Sequence, residues 1–248
     1  MKYNKWLEEE IELLIKKAAK VGDNQLSLLL PRHTKGSIQS MRRKMGIKKI
    51  GRIGSRKLSD ISFDTLNDIE QQIFIGSLLG DGYVIKNKRL INCSFGETHG
   101  KKQGDYLKWK HHMLSPFKPS ITKNNRSMST PTHEFFSTLR TQMYTDSKKT
   151  KLPKLISTIN ELGLLVWYLD DGGIHKGQAN IWNSCFDRIE LAQSINSINE
   201  NLNLSLSVKT NRISLRKSNR DKLFPIWEQM FLDLQIPSVM RYKLRHMQ

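Results

Sequence analysis

Phe74-Ile75-Gly76-Ser77-Leu78-Leu79-Gly80-Asp81-Gly82 and Leu165-Val166-Trp167-Tyr168-Leu169-Asp170-Asp171-Gly172 are the two stretches on which the reading of this chain turns. Each is an apolar run that reads as a buried helix, and each ends in aspartate followed by glycine, a natural C-terminal stop. Gly76 and Gly80 stand four apart on one face of the first helix, so a second helix can approach very closely there. An aspartate at a helix C-terminus faces the negative end of the macrodipole, which is unfavourable unless a cation is bound. Two such ends brought together make an oxygen-rich site suited to Mg2+ or Mn2+. A metal held there can acidify a water and stabilise an alkoxide leaving group in phosphodiester hydrolysis. Asp81 and Asp171 are therefore the candidate catalytic and metal-ligating residues.

The two aspartates lie 90 residues apart. A second pair of similar segments, Leu139 to Asp146 and Ile226 to Asp233, is offset by 87 residues. Two matches at nearly one offset argue for two copies of one unit. The pattern after each Asp-Gly is also shared. Tyr83–Ile85 and Leu90–Phe95 read as strands around a polar turn. Ile174 and Ala179–Asn183 do the same around His175-Lys176-Gly177. Helices follow at Tyr106–Leu114 and Arg188–Asn201, and last helices at Thr132–Tyr144 and Arg220–Leu232. Residues 204–216 alternate apolar and polar side chains, and the polar set includes Lys209, Arg212 and Arg216. A sheet with such a basic face can lie in the major groove of a duplex, and a half-buried sheet with a solvated face would show the same pattern. A unit present twice suggests pseudo-twofold symmetry, which duplex DNA shares.

Composition points to the same class of partner. The 248 residues carry 41 Lys and Arg against 23 Asp and Glu, a net charge of +18. So large a basic surplus suits a polyanion, and no basic amphipathic helix with a wide apolar face favours a membrane instead. No apolar run reaches transmembrane length, and the charged N-terminal helix is unlike a secretory segment, so a soluble intracellular protein is expected. The two cysteines, Cys93 and Cys185, can form neither a disulfide framework nor a four-thiolate zinc site. Buried free thiols are expected. The Lys-, Asn- and Ile-rich composition hints at an AT-rich genome, which organelles, phages and many bacteria share.

Residues 1–47 read as three short helices. The first has Trp6, Ile11, Leu14, Ile15 and Ala18 on one face. The second carries Leu26, Leu28, Leu29 and Leu30 and stops at Pro31. The third runs from Lys35 to Met45 with Thr34 as N-cap and Gly46 as stop. Lys35, Gln39, Arg42 and Arg43 are expected to be exposed on it and to reach bases or phosphates. The tryptophan-bearing first helix and basic third helix resemble a Myb/SANT-type helix-turn-helix module. Residues 48–61 read as a basic linker able to lie along a phosphate backbone, or as an ordinary flexible tether.

From residue 62 onward the chain resembles the LAGLIDADG homing endonucleases in their single-chain form with two motifs. That resemblance implies an α+β fold of two pseudo-symmetric αββαββα units, here 62–158 and 159–248. Two packed motif helices would lie at the centre of a saddle of antiparallel sheets. It implies that Asp81 and Asp171 bind divalent metal, Mg2+ with Mn2+ able to substitute, and that the backbone carbonyls of Gly80 and Asp170 join the coordination. The segments from Asp146 to Pro153 and from Ile236 to Leu244 resemble the family's paired lysine segments. Lys243 is the candidate in the second, and Lys149 or Lys151 in the first, with Lys149 the better fit. Lys86, Lys88, Arg89, Lys176, Lys209, Arg212 and Arg216 would contact DNA. The implied activity is intron homing: a monomer cutting both strands of a long pseudo-symmetric site and leaving short 3′ overhangs. An RNA maturase assisting intron splicing, and a regulator that binds DNA without cutting it, are the two other readings. No splicing module flanks the core, so an intein is not expected. Trp167 departs from the small residue that usually stands at its position. Glu97 reads as a strand-end surface carboxylate, or as a group holding a water. Trp182 and Trp227 read as core, and the histidines as solvated or strand-packed.

Overall fold

The computed structural model describes residues 5–18, 23–47, 62–87, 89–175, 177–183 and 185–244. The described residues divide into two compact units. One holds the N-terminal helices together with residues 86–92, the other the rest from residue 62 on. The linker 48–61 lies outside the described residues, as do Lys88 and Lys176.

The smaller unit has three helices: α1 (Glu8–Ala18), α2 (Asp23–Leu29) and α3 (Lys35–Lys44). Leu14, Ala18, Leu26, Leu30 and Ile38 form its core, with Trp6 packed against them. The Trp6 ring stacks on buried His33, centroids 3.7 Å apart, and His33 Nε2 lies 3.0 Å from the Glu10 carboxylate. Thr34 caps α3 as expected, its hydroxyl accepting from the Ser37 N–H at 3.2 Å. Two expectations fail here. Ile15 is exposed, because the buried row of α1 runs through Leu14 and Ala18. Arg42 is buried, and its guanidinium donates to the Ala18 carbonyl at 3.4 Å. It joins α3 to the end of α1, whereas Lys35 and Arg43 stay exposed and Gln39 is half-buried.

The larger unit contains the αββαββα pattern twice. In the first copy, α4 (Asp68–Leu79) leads to β1 (Tyr83–Ile85) and β2 (Ser94–Thr98), then α5 (Gly104–Met113). β3 (Ser120–Ile121), β4 (Ser127–Ser129) and α6 (Glu134–Met143) complete it. A short hairpin, β5 (Tyr144–Thr145) and β6 (Lys148–Lys149), precedes the second copy. There α7 (Glu161–Asp171) is followed by β7 (Gly172–His175), β8 (Gln178–Trp182) and α8 (Arg188–Leu202). β9 (Ser207–Val208), β10 (Arg212–Leu215) and α9 (Lys217–Asp233) end it. The two antiparallel sheets have equivalent orders, β1-β2-β4-β3 and β7-β8-β10-β9. The second strand of the first copy begins at Ser94 rather than Leu90, because residues 86–92 belong with the N-terminal helices. Trp227 is buried as expected, but Trp182 is exposed on the face of β8 beside Arg212, its partner across the ladder. Cys93 is buried, and Cys185, against expectation, is exposed. No helix among the described residues is long and apolar enough to cross a membrane.

Helices α4 and α7 pack against each other through backbone. A Cβ on Gly76 would lie 2.5 Å from the Gly163 carbonyl oxygen and 2.6 Å from the Val166 Cβ. One on Gly80 would lie 2.5 Å from the Asp170 Cβ. The row of α7 that meets the glycines of α4 is thus 163, 166 and 170. Trp167 stands one residue off that row and is fully buried. The N-terminal ends are tied by Gln72, whose amide donates to the Thr158 carbonyl and accepts from the Asn160 N–H, both at 2.8 Å. Each helix is capped by asparagine. Asn67 forms a capping box with Glu70, and Asn160 accepts from the Leu162 and Gly163 N–H groups.

Gly76→Val would force these helices apart, because the methyls have only backbone and Val166 to meet. The expected cost is at least about 1–3 kcal/mol, read as a lowered thermal midpoint. Gly36→Ala, in α3, where the nearest atom is 3.9 Å from an added Cβ, should leave the midpoint unchanged or raise it slightly.

Candidate active site at the paired helix ends

The glycine contacts set α4 and α7 so that their C-terminal ends adjoin. Asp81 follows the end of α4, and its backbone N–H donates to the Asp170 carboxylate across the interface at 3.3 Å. Asp171 is the last residue of α7. Burial pushes the Asp171 carboxyl up to about 6, and the nearby Asp81 carboxylate adds to the shift. Among the described residues no hydrogen bond or ion pair reaches the Asp171 carboxylate. Asp81 is about one-third exposed. The Asp81 carboxylate is therefore close enough to oppose ionisation of Asp171, and the two face solvent unequally.

Two lysines meet the helix ends. Asp146 and Ser147 take positive φ, 48° and 69°, as a two-residue hairpin turn requires. That hairpin places Lys149 where its ammonium donates to three carbonyls at the end of α4: Gly80 at 2.7 Å, Leu78 and Gly82 at 3.1 Å. Lys243, on the 3-10 turn Ser238–Lys243, donates to the Asp170 carbonyl at the end of α7, 2.8 Å away. The Tyr168 hydroxyl holds that turn by donating to the Lys243 carbonyl at 2.9 Å. The lysines thus occupy matching places in the two copies and offset the negative ends of the helices. Burial lowers the pKa of both ammonium groups. Lys151 is exposed, so Lys149 is the lysine that reaches the helix end. The carbonyls of Gly80 and Asp170, expected among the metal ligands, here accept from these ammoniums.

Beneath Asp81 lies a buried polar network that the sequence reading missed. Glu97 is fully buried, not a surface carboxylate. Lys110, also fully buried, donates to Glu97 at 2.5 Å and to both oxygens of Asp170 at 2.7 Å. Tyr106 donates to Asp170 at 3.1 Å. Burial alone would raise the Glu97 carboxyl, but the Lys110 ammonium and His99 outweigh it and hold Glu97 down at about 2. Burial raises Asp170, with Glu97 adding to it and Lys110 opposing. His99 Nε2 lies 2.6 Å from Glu97, and its Nδ1 faces Asp81 Oδ2 at 3.4 Å. A signal for this network was available. Lys110 falls on the apolar row of α5 with Tyr106 and Leu107, and Glu97 and His99 share the inward phase of Phe95. A lysine and a glutamate at core positions are tolerable only as partners.

The second copy lacks this network. Tyr83 pairs with Gly96 and Gly173 with Asn180, each two residues after its motif aspartate. Counting on, Glu97 corresponds to Ile181 and His99 to Asn183. Ile181 is buried apolar core, and the Asn183 amide oxygen accepts from the Phe186 N–H at 3.2 Å.

The site suits a divalent cation. Ligand atoms of Asp81, His99 and Asp170 lie within 4.8 Å of one another. The partnerless Asp171 carboxylate adds a fourth group at the same helix ends. Of the expected DNA contacts in the larger unit, Lys209 and Arg216 are exposed and Arg212 is half-buried on the β10 face. Lys86 and Arg89 are exposed and belong to the smaller unit.

Two αββαββα copies joined through their leading helices, with an acidic residue at each helix end, define a paired-helix carboxylate enzyme core. A sequence model of the LAGLIDADG DNA endonuclease family matches residues 71–223, more than half of the chain, and the chain belongs to that family. The match begins after the N-terminal helices. The chain is 36% identical over 113 residues to Protein RecA of Mycolicibacterium chitae, covering 44% of this chain and 27% of that protein. It thus spans about a quarter of the length of such relatives. It is 29% identical over 168 residues to the probable intron-encoded endonuclease 1 of Wickerhamomyces canadensis, covering 60% of this chain and 72% of that one. Among solved structures it is similar to the homing endonuclease I-WcaI bound to its DNA recognition sequence. The TM-score there is 0.56 and the identity 22%, over 73% of this chain and 87% of that one. The fold is that of the LAGLIDADG homing endonucleases.

Lys110→Met would leave Glu97 and Asp170 buried without their shared cation. The expected loss is about 3–5 kcal/mol of stability, measured by denaturant unfolding. The same substitution at exposed Lys108 should cost less than about 1 kcal/mol.

Proposed function

We propose that this chain is a site-specific DNA endonuclease that cuts both strands of one long, pseudo-symmetric site in a divalent-metal-dependent reaction. One observation carries the reading: Asp81 and Asp171 stand at adjoining helix ends in the two copies, each end also bearing a lysine on its last carbonyls. Two equivalent half-sites in one chain match two antiparallel strands, so a monomer suffices for a double-strand break. The family membership, and the DNA-bound state of the structural relative, support DNA as the substrate.

Asp81 and Asp171 would each hold a cation, Mg2+ or Mn2+, and act on opposite strands. The carbonyls of Gly80 and Asp170 keep a second lone pair beyond the one given to lysine and would join them through it. When bound, the cation would supply Lewis-acid charge at the scissile phosphate, worth several kcal/mol in the transition state. Lys149 and Lys243 hold positive charge beside the carboxylates and would stabilise the phosphate as its charge builds. The network under Asp81 keeps the end of the second motif helix fixed against the first, so both carboxylates are positioned before substrate arrives. Trp182, Arg212 and Ser214 line one face of the second sheet, with Lys209 at its turn and Arg216 just past its last strand. Tyr83, Thr98 and Ser127 give the first sheet a hydroxyl-rich face, linked by hydrogen bonds of 3.0 and 3.1 Å. These faces would read the groove. In the N-terminal unit, Lys35, Gln39 and Arg43 would extend contact along the duplex, as would Lys86 and Arg89.

The test is cleavage of a randomised duplex library with Mg2+ or EDTA, followed by sequencing of the ends. Cuts at one long motif that vanish with EDTA are expected. Binding enrichment without cuts would overturn the nuclease reading in favour of a regulator or maturase. On the selected site, Asp81→Asn with Asp171→Asn should abolish cleavage and leave binding intact. Lys149→Ala should slow cleavage by about a hundredfold or more, whereas Lys151→Ala should change it less than about twofold.

A further inference from the structure

His99 is a buried imidazole, 4% exposed, and its two ring nitrogens meet carboxylates from opposite sides. Nε2 lies 2.6 Å from Glu97 Oε1, and Glu97 is itself held by Lys110. A carboxylate can only accept, so Nε2 carries the proton of that bond and, in the neutral ring, Nδ1 is left with a lone pair. That Nδ1 has no hydrogen-bond partner and points at Asp81 Oδ2, 3.4 Å away. Only a positive charge between that nitrogen and the carboxylate oxygen makes the approach favourable, a proton in the free protein, whose place a divalent ion would take. Two donors about 2.0–2.1 Å from one ion, at a tetrahedral angle, stand roughly 3.3–3.4 Å apart. The gap between Nδ1 and Oδ2 matches that spacing. A histidine whose far nitrogen donates to a carboxylate is also the usual support of a metal-ligating imidazole.

We infer that His99 Nδ1 and Asp81 form a nitrogen-and-oxygen metal site confined to the first copy, one that takes a divalent transition ion such as Mn2+, Co2+ or Zn2+. Asp170 lies within reach, though both its oxygens already accept from Lys110. In the second copy Asn183 replaces His99 and its amide oxygen is engaged locally, so the set around Asp171 is all oxygen. The two half-sites of one enzyme therefore differ in metal chemistry. Imidazole tilts the first towards later transition ions, while the second keeps the preferences of carboxylate oxygen. The inference rests on Asp81 being a metal ligand, as proposed above.

The experiment uses the full chain without DNA. Co2+ is titrated and its visible absorption followed, and the Mn2+-loaded protein is examined by pulsed paramagnetic resonance for coupling to 14N. One Co2+ site with Mn2+–nitrogen coupling is expected in the natural sequence. His99→Asn, which installs the residue of the second copy, should remove the coupling and weaken that site at least about tenfold. Asp81→Asn, at a partly exposed position that folding tolerates more easily, should do the same. Asp171→Asn should keep both signals. Absence of nitrogen coupling in the natural sequence, or its persistence unchanged in Asp81→Asn and His99→Asn, would overturn the inference. The library assay is read separately in Mg2+, so a chain that cleaves but shows no nitrogen coupling loses this inference and keeps its nuclease function.

Discussion

Everything in the larger unit depends on the contact between α4 and α7 at Gly76, Gly80 and Gly163. Close approach of two backbones is a steric condition, met only where side chains are absent. Its consequence is electrostatic. Two helix C-termini, each with its negative dipole end and an aspartate, are forced into one small volume. The chain relieves the conflict with cations: Lys149 on one end, Lys243 on the other, and Lys110 beneath. Among the described residues Asp171 is left without a hydrogen-bond or ion-pair partner, and burial and Asp81 outweigh the lysines around it. A strongly basic protein thus keeps a cluster of acidic groups at the junction of its two halves.

The two halves share a topology but not a polar core. Lys110 and Tyr106 of the first copy grip Asp170 of the second, with Lys110 held by Glu97 and Glu97 by His99, so the motif helices are locked together from one side. The second copy offers Ile181 and Asn183 at the corresponding places. A single chain can hold such asymmetry because each half evolves its own residues, whereas a symmetric dimer would carry the network twice or not at all. A buried lysine shared by two carboxylates is an expensive element, and its contribution is to fix one geometry rather than to add stability.

Much of this was legible in the sequence. Asp81 and Asp171 followed by glycine, the 90-residue offset and the spacing of Gly76 and Gly80 marked the two copies, the helix pair and the site. These features are local or periodic, and local steric rules decide them. What escaped was decided by tertiary pairing. Glu97 looked like a surface residue because its partner Lys110 lies 13 residues on in another element. Arg42 belonged to a basic run, yet helical phase turned it inward to the end of α1. Trp182 was assigned to the core by type, although the period of β8 sets it outward. The lysine ambiguity between 149 and 151 needed the hairpin turn at Asp146 and Ser147 to resolve it.

The most direct measurement is the titration of the Asp171 carboxyl carbon by NMR in metal-free protein carrying 13C-labelled aspartate. Packing of the two helix ends predicts a midpoint near 6, set by burial and by Asp81, and a downward shift in Asp81→Asn. A midpoint in the ordinary aspartate range near ~4, indifferent to Asp81, would mean that the carboxylates do not share one site.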